Sequence, residues 1–366
     1  MRYRVATIFV IFLAGCGAID RDVSLHAADN PPALLSEWGV LLARKNRLQL
    51  NVGVTPYELN TPLFSDYARK LRTVWMPEGM SAQYSDSEEF DFPDGTIISK
   101  TFYYRKAGAW SVDDFRVDVG EAVVTNTDAT IDLDQYVLIE TRLLVRYADG
   151  WRAYPYVWNA AQSDATLEIA GDVLAIELHG ANAPQQINYV VPDANQCSGC
   201  HTPNHSAAEL RPLGPKAWQL NRSYAWWGDG ASQIAHWTSS GLLHGAPEMA
   251  VTEMTTLEQR SRAYLDANCA HCHNPQGAAD TSALHLNIES PPGRNLGVCK
   301  TPVAVGRGSG DRPYDIYPGR PQDSILVYRM QHTDPAIAMP ELGRSAVHAE
   351  GVALISDWIT AMSGEC

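Results

Sequence analysis

The sequence predicts a multidomain chain: an antiparallel β-rich N-terminal domain, a sandwich or barrel, followed by a mainly α-helical region. Three observations predict it. From about residue 70 to 191 the apolar residues recur with period two. Beyond 255 they recur at helical spacing over 256–267 and 349–362. A pentapeptide, Cys-x-x-Cys-His, occurs twice in the second part, as Cys197, Cys200, His201 and as Cys269, Cys272, His273.

The elements follow in order. Residues 1–15 read as an export signal, with Arg2 and Arg4 ahead of an apolar run over 5–13 that is too short to span a bilayer. The run closes in Leu13-Ala14-Gly15-Cys16, which resembles a lipobox, and that resemblance implies cleavage before Cys16 and its acylation. The alternative is an ordinary cleaved signal with a chance cysteine. Gly17 stands where lipoproteins retained at the inner membrane usually carry Asp, so the outer membrane is the expected destination. Residues 16–33, polar and ending in Pro31 and Pro32, read as a lipidated tether, and acyl chains at about 0.8 kcal/mol per buried methylene would hold it to a membrane surface.

Residues 34–191 form the expected β-rich domain. Leu34, Leu35, Trp38, Leu41 and Leu42 have helical spacing and predict one short helix over 34–45. Residues 139–147 alternate as a half-buried strand, Asp149-Gly150 marks a turn, and 151–158 is a second strand, which makes a hairpin. Residues 96–104 and 173–178 are further strands. Trp75, Trp110, Trp151 and Trp158 read as core, with a glycan-binding platform as the other possibility.

The repeated pentapeptide carries the chemistry. Cys-x-x-Cys-His attaches c-type haem: the thiols form thioethers with the vinyl groups and the imidazole ligates iron. A thioredoxin-like dithiol or a shared Cys₄ zinc site is the competing reading, but neither needs a His after the second Cys. Two copies predict two covalently bound haem c groups, in a segment over 192–254 and a domain over 255–366. A helix entering the second motif, a long loop, Met339-Pro340 and a closing helix follow the order of a class I cytochrome c, which 255–366 resembles.

The iron ligands are then His201 and His273 from the motifs, with Met339 the candidate sixth ligand of the second site and Met330 and His332 behind it. For the first site Met249 is the candidate, with His236, His244, Met76 and Met80 as alternatives and an open iron as another. Pro318 is expected to orient His273 through its carbonyl, and Arg307, Arg312 and Arg320 are possible partners for propionates. Cys299 and Cys366 remain, and in an oxidising compartment they suggest a disulfide, against two unpaired thiols.

The formal charge of −14 becomes −16 without Arg2 and Arg4, which argues against nucleic acid and suits a basic redox partner or solubility alone. Beyond the two pentapeptides, the chain resembles an uncharacterised family of exported bacterial dihaem c-type cytochromes. The matching stretches are FPDGTIISKTF at 92–102, ETRLL at 140–144, NQCSGCH at 195–201, LNR at 220–222, YLDANCAHCH at 264–273 and PGRPQDSI at 318–325. The resemblance implies haem c binding and electron transfer between donor and acceptor proteins it does not identify. The expectation is a cytochrome lipoprotein in the periplasm or on the cell-surface side of the outer membrane. A peroxidase-like enzyme with an open first haem, or a β-domain binding protein with redox-sensing haems, are the alternatives.

Overall fold

The computed structural model describes residues 22–366 except 109, 112–113, 120–128, 181–182, 229, 250, 252–253 and 304–305. The export signal and Cys16 lie outside the described residues. The strands are β1 (Leu41–Arg44), β2 (Arg47–Leu50), β3 (Thr55–Tyr57), β4 (Arg69–Trp75), β5 (Ala82–Gln83), β6 (Ile97–Lys106), β7 (Arg116–Asp118), β8 (Ile131–Asp132), β9 (Tyr136–Tyr147), β10 (Gly150–Trp158), β11 (Ala165–Leu167), β12 (Asp172–His179), β13 (Gln185–Val191) and β14 (Leu243–His244). The helices are α1 (Ala194–His201), α2 (Ala217–Leu220), α3 (Gln233–Ser239), α4 (Leu257–Leu265), α5 (Ile325–Met330) and α6 (Ala349–Ala361).

One curled nine-stranded sheet dominates. Its path runs β11-β10-β9-β6, and β6 then divides: one half pairs with β4 and through it β3, the other with β7, β12 and β13. The β9–β10 hairpin turns at Ala148-Asp149, one residue before the expected Asp149-Gly150, and Gly150, which opens β10 opposite Tyr147, holds φ +123°, where a side chain is strained. β7 and β12 run parallel, so the sheet is mixed rather than an antiparallel sandwich or barrel.

The fold-class expectation is corrected in its second half as well. Strand outweighs helix, 27% against 21%, and residues 192–366 are a few short helices joined by loops and 3₁₀ turns. This is not a mainly helical, class I cytochrome-like region. The reason is visible in its core: Leu286, Leu296 and Ile316, all buried with Trp358 and Ile359, lie in loops or turns rather than on helices. The helix expected over 34–45 is also corrected. Gly39 at φ +69° ends a 3₁₀ turn at Leu35–Trp38, and Leu41 and Leu42 pair with Leu50 and Gln49 in β1–β2. Residues expected to be tether are pinned from 22 onward, since Ser24 donates to the Trp38 carbonyl, and Tyr154 and Tyr156 donate to the Ala28 and Pro32 carbonyls.

One face of the sheet carries an unusual row. Arg72 on β4, Lys100 on β6 and Arg142 on β9 stand opposite one another, and Lys70, Phe102 and Glu140 form the next row. Glu140 is fully buried; it accepts from Arg142 Nε at 2.7 Å and from the Tyr189 hydroxyl at 2.7 Å. Removing one partner of such a pair strands the other charge, at about 3–5 kcal/mol. Glu140→Gln is therefore expected to lower unfolding stability by about 3 kcal/mol in urea titration, and Glu140→Gln with Arg142→Met to recover most of it. An unchanged midpoint for the single variant would show that the row does not depend on this carboxylate.

Candidate haem attachment sites

The first motif sits on α1. Asp193 caps it: its carboxylate accepts from the Gln196 amide (2.8 Å) while Gln196 Oε1 accepts from the Asp193 amide (3.1 Å). Helical spacing puts Cys197, Cys200 and His201 (i, i+3, i+4) on one face. His201 is clamped by Arg211, whose amide donates to the His201 carbonyl (2.6 Å) and whose carbonyl lies 2.7 Å from Nδ1. A carbonyl only accepts, so Nδ1 carries the hydrogen and the lone pair is on Nε2.

The second motif follows α4. Thr256 caps that helix, accepting from the Gln259 amide at 3.1 Å, and a π-helical turn at Asp266–Ala270 delivers Cys269. Cys272 and His273 donate to the Cys269 carbonyl at 3.2 and 2.9 Å, so the helical face of thiols and imidazole recurs. His273 Nδ1 lies 3.3 Å from Ser282 Oγ, whose own hydrogen goes to the Ala279 carbonyl at 2.6 Å. Ser282 thus accepts from Nδ1–H, and here too Nε2 keeps the lone pair. The partner is this serine rather than Pro318; the neighbouring Gly319 amide instead donates to the Ile359 carbonyl of α6.

Burial, first among the causes, lowers the proton affinity of His201 to about 3 and of His273 to about 4, so both imidazoles are neutral as a metal ligand must be. Burial also raises the thiols, Cys269 to about 12 and Cys272 to about 11, with Cys197 and Cys200 shifted the same way. A thioredoxin-like dithiol needs the opposite shift. Cys299 and Cys366 are joined in a disulfide, while the four motif cysteines are free. Among the described residues no three His, Cys, Asp or Glu side chains form a metal-holding cluster.

A cavity of about 1440 Å³ lies between the sheet and the segments that carry the two pentapeptides, larger than the roughly 300–1,000 Å³ typical of small-ligand pockets. Cys197, Cys200 and His201 line it, with Lys100 and Arg142 from the sheet and Met339 and His271 from the C-terminal part. Cys269, Cys272 and His273 are not among its lining residues. The Lys100 ammonium lies 5.2 Å over the Phe102 ring, and burial beside Arg142 and Arg72 lowers its proton affinity to about 7. The two motifs touch: Cys272 Sγ is 3.8 Å from the Gly199 carbonyl, and the His205 amide donates to the Gln276 carbonyl at 2.8 Å.

Met339 is half-buried on the cavity wall, its amide bonded to the Arg329 carbonyl (3.2 Å) and its carbonyl to Arg344 (2.8 Å). Met330 lines the cavity from the C-terminal core, and His332 is tied to the Tyr328 carbonyl at 2.6 Å. The candidates for the first site lie elsewhere. Met249 packs on the cluster around Trp237 and Phe90, Met76 is buried in that cluster and Met80 is exposed. His236 stacks on Trp227 and His244 is in β14; none of the five lines the cavity. Arg307 pairs with Asp334, Arg312 covers Tyr328 and Arg320 covers Tyr317, all away from the cavity.

Sequence reasoning missed Arg211, Ser282, His271 and the cationic row. It also missed His348, which lines the cavity, stacks on Phe64 (4.2 Å) and hydrogen-bonds through Nδ1 to the Tyr264 hydroxyl (3.0 Å). Comparison with protein-family models, with curated proteins and with solved structures finds no match.

Burial holds the folded-state pKa of His348 near 4, below its ordinary 6.5. Between those values the unfolded chain binds more protons, so this residue's contribution is full above pH 6.5 and is lost as pH falls towards 4. His348→Gln should therefore reduce the stability difference between pH 7 and pH 4.5 by about 2 kcal/mol in urea unfolding. An unaltered pH slope would mean that other groups carry it.

Proposed function

We propose that the protein is a dihaem c-type cytochrome that relays single electrons between donor and acceptor proteins outside the inner membrane. The observation that carries this reading is the repeated local geometry. Each motif presents two protonated thiols and one neutral imidazole on a helical face, with Nδ1–H given to a fixed acceptor and Nε2 left as the base. Such a bond to the far ring nitrogen sets the orientation and basicity of a metal-ligating histidine. The thiols of Cys197 and Cys200 and of Cys269 and Cys272 would hold the porphyrins, and His201 and His273 the irons. Bound there, haem supplies one-electron chemistry at a potential set by axial ligand and burial.

The chain's own residues account for the rest. Met339, held by two backbone bonds, would offer its thioether to the iron of the second site, to which its place between the second motif and the closing helix assigns it, and a thioether favours the reduced iron. The contact between Cys272 and Gly199 brings the two attachment motifs together, as a relay requires. Lys100 and Arg142 place positive charge on the cavity wall, which suits a group carrying carboxylates. The Cys299–Cys366 disulfide fits an oxidising compartment, and acylation at Cys16 would anchor the protein to the outer membrane.

Protein matured in a host that exports and attaches haem c should show two haems per chain in a pyridine haemochrome assay. Cys200→Ala should lower the count to one; a chain without covalent haem would end the proposal. Met339→Ala should lower one midpoint potential and leave the other within error. Two unchanged potentials would remove Met339 as a ligand.

A further inference from the structure

We infer that His271, the residue between the two cysteines of the second motif, is the sixth ligand of the iron held by His201 in the first. This rests on the haem reading above and assigns the axial position that Met249 does not fill.

Helical geometry starts the argument. Cys269, Cys272 and His273 occupy i, i+3 and i+4 and share a face, whereas His271 is turned from it by roughly 100° or more. It therefore points away from the group its own motif holds. The two motifs lie against each other, with Cys272 Sγ on the Gly199 carbonyl and the His205 amide on the Gln276 carbonyl, so the far side of the second motif is also within reach of the space the first one borders. Accordingly His271 lines the same cavity as Cys197, Cys200 and His201, while Cys269, Cys272 and His273 do not.

The second argument is an unpaired atom. His271 Nδ1 is buried without a hydrogen-bond partner, and neither ring nitrogen has one among the described residues. A buried polar nitrogen left so costs about 1–3 kcal/mol. The other three histidines of this region have partners: His201 the Arg211 carbonyl, His273 the Ser282 hydroxyl and His348 the Tyr264 hydroxyl. An imidazole in a cavity beside a haem-type histidine, with no partner in the protein, has the chemistry of a ligand. Lys100 is the rival nitrogen on the same wall, and no carboxylate or carbonyl pairs with its ammonium among the described residues.

The test is clean because position 271 is variable in Cys-x-x-Cys-His, so His271→Ala leaves both attachment sequences whole. On matured protein, absorption and electron paramagnetic resonance spectra are recorded for wild type, His271→Ala, His271→Met and Lys100→Met, with and without carbon monoxide. Haemochrome content is measured on each. Wild type should hold two low-spin haems that do not take up carbon monoxide. His271→Ala should keep two covalent haems, with one turned high-spin and binding carbon monoxide, and added imidazole should restore the low-spin spectrum. His271→Met should stay low-spin with one potential raised.

Two haems with spectra unmoved by His271→Ala would overturn the inference, as would a wild type that already has an open haem. If Lys100→Met opens the iron and His271→Ala does not, the ligand is the lysine and the inference falls. Absence of covalent haem from wild type would instead remove the haem reading itself, a separate outcome.

Discussion

The arrangement of charge beneath the cavity depends on Glu140. Arg72, Lys100 and Arg142 stand side by side on one sheet face, with Lys70 a row away, in a position that would otherwise be apolar core. Like charges at strand spacing repel, and burial strengthens the repulsion. Glu140, fully buried and bonded to both Arg142 and Tyr189, supplies the compensating charge and fixes Arg142 in one orientation. Glu58 is close enough to assist Arg72, at 3.8 Å. The sheet wall of the cavity therefore carries a cationic row, Arg72, Lys100 and Arg142, in a protein whose net charge is −14.

Much of the sheet was legible because its residues advertise their pairing. The alternation over 139–147 corresponds to β9, and the expected turn falls within one residue of the Ala148-Asp149 turn that joins it to β10. The two pentapeptides were equally plain, since three residues at fixed spacing, Cys, Cys and His, mark each. What was not legible depends on contacts remote in sequence. The apolar spacing of Leu35, Trp38, Leu41 and Leu42 fits a helix, and only the left-handed Gly39 and the pairing with Leu50 turn it into a strand. The expected helical region failed for a related reason: Leu286, Leu296 and Ile316 are buried by neighbours that the periodicity of their own segments cannot reveal.

The support of the two imidazoles shows the same division. The pentapeptides single out His201 and His273, yet their partners stand ten and nine residues further on, Arg211 in a loop and Ser282 at the end of a 3₁₀ turn. One is a carbonyl and the other a hydroxyl, so no shared residue type marks the role. The charged residues of the sheet did leave a trace. Glu140 and Arg142 fall on the alternate, polar positions of the 139–147 pattern, which read as the solvent side of a half-buried strand, and only the fold brings that side under the cavity.

The loop between β3 and β4 belongs to the sheet by chain order and to the motif segments by contact. Gln233 exchanges two hydrogen bonds with the Glu58 backbone at 2.8 Å each, and Gln219 exchanges two with the Thr61 backbone at 2.8 and 2.9 Å. Phe64 donates to Asn268, one residue before Cys269, and Asp66 accepts from the Ser345 and Ala346 amides at 2.7 Å. A boundary drawn at residue 191 would sever all of these and expose their amides in both fragments. The two halves are thus not interchangeable cassettes. Joining this sheet to a foreign second half would leave the loop's donors and acceptors unpaired unless the new half also supplied their partners.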